Sequence, residues 1–528
     1  MIELILVVAI GILYTYLVSR FLKVCLHMFQ QNKYELFRLR MWEKDNVTKT
    51  YPMYIMVTWF FIILLTIFIP IMEIRLFIIL TILALQILNQ FNKNKNQAFI
   101  QPLNVTGRVK RQIIVWIILY VLFGLLIYKI HTHYLVTLLL LAGFHIYQMW
   151  IIKLIGLITQ PIETYFKRRF MSKEQAKLLS YKNLIRIGIT GSYGKTSSKN
   201  MIFDVLSKKY YCLTTPASYN TPLGIAMTIR DLLQPIHEIF ICEMGADKVG
   251  DISELFDFVK PEIGIVTSIG QAHLNTFRTQ ENIITEKMKM IEMLDENGLA
   301  ILNKDEKFIR EYKITSKAKQ IWYGIDNDAN IMAKNIKYDQ DGTSFDVSIN
   351  GEDVHFQTKL LGKHNIYNIL TAIALGVHFN IPIKELQSAI KQLNYTPHRL
   401  EVKKQKDFTL IDNAFSSNPV SSRMSLDVLE KMPGQRIVIT PGMIDLGAKQ
   451  AYYNKEFGKY FINKADIVIL VGRKQTKPIY EGLEESGFNM KNVYVVNKIY
   501  DAYNIMNKVK QVNAFVLLEN DLPDAFNN

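Results

Sequence analysis

Apolar residues follow two different rhythms along this chain. Up to about residue 160 they run in long blocks: Ile2–Leu22, Met53–Met72, Leu76–Leu88, Ile113–Tyr128 and Tyr134–Ile158. Each block is near the length of a bilayer crossing, which predicts an all-α membrane domain of about five helices. The third block is short, and Met72-Glu73-Ile74-Arg75 predicts a tight helical hairpin joining it to the second. Beyond Tyr165–Phe170 the rhythm changes to short β-branched runs separated by helix-length stretches. Ile185–Thr190, Ile239–Glu243, Ile263–Ile269 and Ala300–Asn303 predict a doubly wound α/β sheet, whose ligands lie at the carboxyl ends of its strands. A β-meander follows, with turns at Asp341-Gly342 and Asn350-Gly351. After about Asn394 the alternation restarts at Phe408–Asp412, Arg436–Pro441, Ile467–Gly472, Val493–Val496 and Phe515–Glu519, a second and smaller α/β domain. The expected division is therefore a transmembrane domain over 1–160, a linker over 161–183, a central domain over 184–394 and a C-terminal domain over 395–528.

Charge gives this division an orientation. Lys and Arg number 62 against 47 Asp and Glu, a formal net charge of +15. Segment 23–51 holds Lys23, Lys33, Arg38, Arg40, Lys44 and Lys49, and segment 92–112 holds Lys93, Lys95, Arg108, Lys110 and Arg111 with no acid. The alternate connections, near 73–75 and 130–133, are short and nearly uncharged. Positive charge marks the cytosolic side, so the N-terminus lies outside and everything after Lys167 is cytoplasmic, in a multi-pass protein of a bacterial cell membrane. The same distribution favours anionic membrane lipids over nucleic acid as the partner of the excess charge. The first block lacks a basic start and a small-residue cleavage site, so it reads as a retained anchor. The sequons at Asn46 and Asn104 fall in cytosolic loops and carry no meaning. Few charges enter the blocks, which disfavours an ion path. His145 and Lys153 in the last block each read as a satisfied or snorkelling side chain, with a lipid headgroup contact as the alternative. Three scattered cysteines, Cys25, Cys212 and Cys242, suggest neither a disulfide framework nor a cysteine zinc site.

The chemistry begins at Ile185–Lys199, IRIGITGSYGKTSSK: a strand, a Gly-Ser-Tyr-Gly turn and a helix opened by Lys-Thr. Glycines let backbone N–H groups close on an anion, the helix N-terminus adds partial positive charge, Lys195 supplies a cation and the Thr196 hydroxyl is a ligand for Mg²⁺. The standard phosphate-loop spacing would need glycine at 189, where Ile189 stands, and only Gly191-x-x-Gly194-Lys195-Thr196 remains. An ordinary strand–turn–helix junction is the competing reading of this segment alone.

Further blocks fall in one order: ICEMGADKVGDI from Ile241, PEIGIVTSIGQAHLNTF from Pro261, Lys287, Leu302-Asn303-Lys304-Asp305, LGKHNIYN from Leu361, Thr396–Glu401, LIDNAFSSNP from Leu410 and PGMIDLG from Pro441. Together they resemble the Mur ligase family, ATP-dependent amide ligases of cell-wall precursor synthesis, and within it the branch that adds D-alanyl-D-alanine to a muramyl tripeptide. The likeness covers roughly residues 184–450 and fades beyond. It implies a central ATP-binding domain followed by a Rossmann-like one, with ATP and two Mg²⁺ ions as cofactors.

By that resemblance Gly191, Ser192, Tyr193, Gly194, Lys195, Thr196 and Ser197 hold the phosphates. Thr196 and Glu243 bind a first Mg²⁺, and His273 binds a second. Lys287 corresponds to a lysine that CO₂ converts to a carbamate metal ligand. Asn303, His364-Asn365 and Asn368 match adenine-contacting positions, while Arg399 and Asp412 reach phosphate and ribose. Taken singly, Glu243 could be structural, Lys287 part of a solvated helix face, and each asparagine a cap or turn residue.

The departures bear on substrate. Two acids are expected where Asp412-Asn413 stands, an asparagine pair where Asn220-Thr221 stands, and Lys-Gly-Ser where Leu518-Glu519-Asn520-Asp521 stands. About 25 residues separate the last apolar block from the strand at 184, too few for the domain with which soluble members grip a uridine nucleotide. The expectation is a membrane-embedded ligase joining a carboxylate to the amine of an amino acid or dipeptide, on a lipid-linked or membrane-proximal envelope precursor. Its rivals are a membrane-bound poly-γ-glutamate-type polymerising ligase and an ATP-driven transporter, the latter disfavoured because no Leu-Ser-Gly-Gly-Gln segment is present.

Overall fold

The apolar blocks of the N-terminal third fold as helices: α1 (Ile2–Gln31), α2 (Leu36–Asp45), α3 (Met53–Ile67), α4 (Met72–Asn94), α5 (Gly107–Ile130), α6 (Tyr134–Ile146) and α7 (Gln148–Ser180). The computed structural model describes residues 1–94, 102–130, 134–270, 274–339, 342–349, 351–415, 417–444 and 446–521, and these divide between Arg168 and Arg169 into two units. Three described helices are long and apolar enough to span a membrane: α1, α4 over Met72–Asn89 and α5 over Gly107–Lys129. The α6–α7 pair, bent by 66°, meets the same test jointly, whereas α3 has 15 residues. By length, then, three or four helices qualify where about five were expected. The hairpin break also lies earlier than 72–75. It falls between Ile67 and Met72, where Pro70 cannot continue a helix and the Arg75 guanidinium donates to the Ile69 carbonyl.

In this unit Tyr14, Leu17, Phe21, Cys25 and Phe29 of α1 are buried among α3–α7 side chains such as Trp59, Leu83, Trp116 and Ile152. His145 Nδ1 accepts from Trp59 Nε1 at 3.3 Å, and Lys153 pairs with Glu43 at 2.5 Å. Both side chains are buried, and Lys153 is satisfied by its pair, the first of the two readings expected for it.

The second unit carries two sheets. Its central domain comprises β1 (Ile185–Thr190), α8 (Lys195–Leu206), β2 (Cys212–Thr214), α9 (Pro222–Leu232), β3 (Ile239–Glu243), α10 (Asp251–Val259), β4 (Ile263–Val266), α11 (Gln280–Glu292), β5 (Leu299–Asn303), β6 (Lys319–Gly324), β7 (Ile331–Asp339), β8 (Gly342–Ile349), β9 (Glu352–Thr358), α12 (Lys363–His378) and α13 (Ile383–Gln392). The strand order is β2-β3-β1-β4-β5-β6-β7-β8-β9, parallel through β7 and antiparallel in the meander. Strand alternation divides the core. Ile239, Ile241, Leu299 and Ile301 face one apolar layer, while Phe240, Cys242, Ala300 and Leu302 face the other. Residues Asp341 and Asn350 of the expected turns lie outside the described residues.

The C-terminal sheet runs β10-β11-β15-β12-β13-β14, from β10 (Glu401–Lys404), β11 (Phe408–Asn413), β12 (Arg436–Thr440), β13 (Ile467–Val471), β14 (Val493–Val496) and β15 (Ala514–Glu519). All pairs are parallel except β10–β11. Helix α14 (Pro419–Glu430) starts from a capping box on Asn418. The last turns of α7 dock on the central domain: Gln175 Nε2 donates to the carbonyls of Asp257 (2.7 Å) and Phe258 (3.1 Å), and Lys177 Nζ to those of Ile229 (2.6 Å) and Arg230 (3.2 Å).

Candidate active site

The carboxyl ends of β1, β3, β4 and β5 meet at one edge of the central sheet, where the 191–197 segment, Glu243, Lys287 and Asn303 collect. β1 delivers the chain to the 191–194 loop. Gly191 and Gly194 take φ of +152° and +81°, and a Cβ would lie 2.0 Å from Thr267 Oγ1 at the first and 2.8 Å from Asn368 Oδ1 at the second. Only glycine fits either position. The loop is clamped from β4's continuation. Ser192 N donates to Ser268 O (2.8 Å) and Tyr193 N to Ser268 Oγ (3.0 Å), while the Tyr193 carbonyl accepts from Thr267 Oγ1 (2.6 Å). The Tyr193 hydroxyl donates to Glu306 at 3.2 Å. Thr196 and Ser197 are buried in the first turn of α8, whose leading N–H groups the helix itself leaves unused.

Inside this cradle the polar groups are tightly engaged. Thr196 Oγ1 donates to Glu243 Oε2 at 2.9 Å, which joins the two residues expected to share a metal. The other oxygen of Glu243 accepts from Asn220 Nδ2 at 3.1 Å. Lys199, almost wholly buried, lies 3.7 Å from Glu243 and donates to the carbonyls of Thr215 (2.6 Å) and Ala217 (2.5 Å). Lys195 Nζ donates to the Gly191 carbonyl at 2.8 Å, and Lys287 Nζ reaches the same oxygen at 3.4 Å. Burial lowers the pKa of Lys195, with Glu243 opposing the shift. Burial and the neighbouring Lys195 push Lys287 down to about 7. Arg399 lies over the Phe415 ring at 4.6 Å; burial lowers its pKa and Glu243 opposes. Several cations around one carboxylate suit a polyanion accompanied by a hard metal ion.

Two of the adenine candidates adjoin this cradle. Asn303 Nδ2 donates to Thr267 O (3.2 Å), and Asn368 Oδ1 accepts from Ser198 Oγ (3.0 Å). His364 is driven down to about 4 by burial, and its Nδ1 has no hydrogen-bond partner among the described residues. Asp412 is engaged elsewhere: its Oδ2 accepts from Lys403 (2.7 Å) and faces His398 Nδ1 at 2.8 Å. His398, Glu401 and Asp412 converge closely enough for a metal, but the Lys403 ammonium already bridges Glu401 and Asp412. His273 lies outside the described residues.

Sequence reasoning missed Lys199 and the role of Asn220, although Lys199 stands one helical turn beyond Lys195 on the same face. Thr221, at the other departure, caps α9 by accepting from Gly224 N at 3.3 Å. Glu519, where Lys-Gly-Ser was expected, is fully buried at the end of β15 and accepts from Asn413 Nδ2 (2.7 Å), Ser425 Oγ (2.7 Å) and Ser417 Oγ (2.8 Å).

A parallel α/β sheet with a glycine cradle, followed by a second α/β domain, defines a nucleotide-using class of protein. The Mur ligase middle-domain profile matches residues 189–376, and the Mur ligase glutamate-ligase domain profile matches residues 398–518. The chain belongs to the Mur ligase family. It is 30% identical over 292 residues to the UDP-N-acetylmuramoyl-tripeptide–D-alanyl-D-alanine ligase of Bacillus subtilis (strain 168), a match covering 54% of this chain and 62% of that protein. The fold is similar to MurF from Acinetobacter baumannii (TM-score 0.61, 21% identity, 67% of this chain and 77% of that one). It is also similar to MurF of Thermotoga maritima in complex with ADP (TM-score 0.59, 22% identity, covering 67% and 80%). The chain thus spans about three-fifths of the length of the curated relative it matches.

Proposed function

We propose that this protein is a membrane-embedded, ATP- and Mg²⁺-dependent amide ligase of cell-envelope precursor synthesis. The observation that carries the reading is the Thr196–Glu243 contact at 2.9 Å beside a loop whose single Gly191 carbonyl is approached by both Lys195 and Lys287. The hydroxyl and the carboxylate are the hard oxygen donors that Mg²⁺ requires, and the glycine loop has no room for side chains on its inner wall. Thr196 and Glu243 would hold the first ion and His273 and Lys287 the second; such ions supply neutralisation of phosphoryl charge and polarisation of the carbonyl.

The reaction needs two displacements. The acceptor's carboxylate oxygen attacks the γ-phosphorus and ADP departs, giving an acyl phosphate. The incoming amine then attacks the acyl carbon, phosphate leaves, and the nitrogen gives up a proton. Lys195, swinging from the Gly191 carbonyl to the phosphates, and Arg399 stabilise charge on the transferring group. Lys287, with its amine held near neutrality, is suited to react with CO₂, and its carbamate would be anionic beside Lys195. Closure of the C-terminal domain would bring Arg399 onto the phosphates and exclude water.

The N-terminal unit is read as a multi-pass membrane domain with the catalytic domains cytoplasmic, supported by its long apolar helices and basic connections. The acceptor is read as lipid-linked or membrane-proximal, and the amine donor as an amino acid or dipeptide. The relatives' D-alanyl-D-alanine is one such donor, although Glu519 alters the region that would receive it. Full-length protein in membranes, given ATP, Mg²⁺, an envelope lipid extract and single amines, should release ADP only with acceptor and the correct amine. A fragment beginning at Met171 should bind ATP yet fail on the lipid extract. Equal activity of both forms on a soluble UDP-muramyl peptide would refute the lipid assignment.

A further inference from the structure

Buried polar atoms without partners gather in the N-terminal unit. Among the described residues, Trp42 Nε1, both amide atoms of Gln86 and of Gln112, Arg108 Nε and His145 Nε2 make no hydrogen bond. Gln112 is fully buried. Arg108 precedes it by one turn on the same face of α5, and helical side chains lean toward the N-terminus, so the Gln112 amide is directed at the turn that Arg108 occupies. Arg108 stacks over Tyr34 at 4.0 Å, and Tyr34 in turn accepts from Gln30 Nε2 at 2.9 Å.

Charge at this end of α5 is unbalanced. Arg111 takes both oxygens of Glu163, at 2.6 and 2.7 Å, so the acid whose charge acts on Arg108 is already matched. Two arginines therefore share one carboxylate, beside a helix N-terminus with no acid in its first turn. Lys153, by contrast, is closed by Glu43. Just beyond this polar turn, Ile114, Ile117, Ile118, Val121 and Leu122 are exposed on α5. By helical period Ile118 and Leu122 lie toward the side of Arg108, and Ile114, Ile117 and Val121 on the far side. A surplus cation with an unpaired amide, at the end of a helix that exposes hydrocarbon along its length, fits an amphiphile that carries an anion and a tail.

We propose that Arg108, Gln112 and the first turn of α5, backed by Tyr34, bind the phosphate ester of a membrane lipid. Guanidinium recognises phosphate oxygens through paired N–H donors, and the Gln112 amide supplies a further donor. The inference rests on the membrane reading of this unit and not on the ligase reaction. The shared chemistry is a lipid phosphate, either on a polyprenyl chain or on a glycerolipid.

The test uses full-length protein in a neutral detergent, with binding followed by native mass spectrometry and by thermal shift. Farnesyl phosphate should bind and raise the melting temperature, while farnesol and inorganic phosphate should not. Arg108→Gln should weaken farnesyl phosphate binding by about tenfold or more. Gln112→Leu removes a buried amide that has no partner, so it should raise the lipid-free melting temperature by about 2–4 °C while losing the lipid-induced shift. A structural role for Gln112 would lower it. Tighter binding of farnesyl phosphate than of phosphatidylglycerol supports a polyprenyl carrier, and equal binding supports a general phospholipid seat. Farnesol binding as well as farnesyl phosphate, unchanged binding by Arg108→Gln, or destabilisation by Gln112→Leu overturns the proposal. ADP release by the wild-type protein in the same detergent reports on the ligase reading separately.

Discussion

Two glutamates end parallel strands in the two α/β sheets, and their surroundings contrast. Glu243 closes β3 with a threonine hydroxyl, an asparagine amide and the Lys199 ammonium around it. Glu519 closes β15 with only neutral donors among the described residues, Asn413, Ser417 and Ser425, and burial raises its pKa above the ordinary range. Both are nearly inaccessible. The difference is the nearby cation. A carboxylate beside an ammonium can exchange one cation for another, whereas one ringed by hydroxyls and amides ties loops together. The position at a strand's carboxyl end, which marks ligand sites in such sheets, does not by itself separate the two.

Mutations can break this contrast. Lys195→Ala removes the cation nearest the proposed phosphates without opening the core, and ADP formation should fall by about 10³-fold or more while the protein still folds. Near-normal turnover in a coupled ADP assay would remove the nucleotide site from this end of the sheet. Lys287→Ala should lose nearly all activity and regain part of it with formate or acetate, which can occupy the place of a carbamate. Full activity without an added acid would show that Lys287 has no metal role. Glu243→Gln should cost about 10²–10³-fold in ADP release and raise the Mg²⁺ needed for half-maximal rate, while Glu519→Gln should stay within about threefold of wild type. Equal losses in the two variants would erase the distinction drawn here.

The smallest effect is a pH dependence. Burial raises the folded pKa of Glu519 above its unfolded value, so the fold favours the protonated form. That preference contributes stability fully present below about pH 4.5, the ordinary glutamate value, and lost as pH rises through the folded pKa. Glutamine stays neutral throughout. The melting temperature of Glu519→Gln relative to wild type should therefore increase from pH 4.5 to pH 7, by about 2–4 °C. A flat difference across that range would place a cation near Glu519 after all.

Much of the cradle was legible because its parts are adjacent in the chain: strand, glycine turn, Lys195 and Thr196 fall within a dozen residues. Glu243 was reached through the family resemblance, at the end of a strand that the periodicity predicted. Lys199 and Asn220 were not, since their meaning depends on Thr215, Ala217 and Glu243, which only folding brings near. β4 was expected to run to Ile269 and stops at Val266, because Thr267 and Ser268 turn aside to clamp the Tyr193 backbone. Strands β2 and β6 escaped the periodicity reading, the first being three residues long and the second ending in Trp-Tyr-Gly without alternation. In the N-terminal unit the apolar blocks were plain from composition, but the position of the α3–α4 break belongs to Pro70 and not to the charged residues that suggested it.

The docking of α7 has a practical meaning for anyone who wishes to cut this chain. Gln175 and Lys177 plug the carbonyl ends of α10 and α9, and Leu178 is fully buried in the same core. A fragment starting at Ile185, where the first strand begins, would uncap two helices at once and strip away an apolar cover. Starting at Met171 keeps all three contacts, although it severs a helix in mid-course. The sensible border for expression is therefore inside an element of regular structure, a place that rules based on loops and composition would pass over.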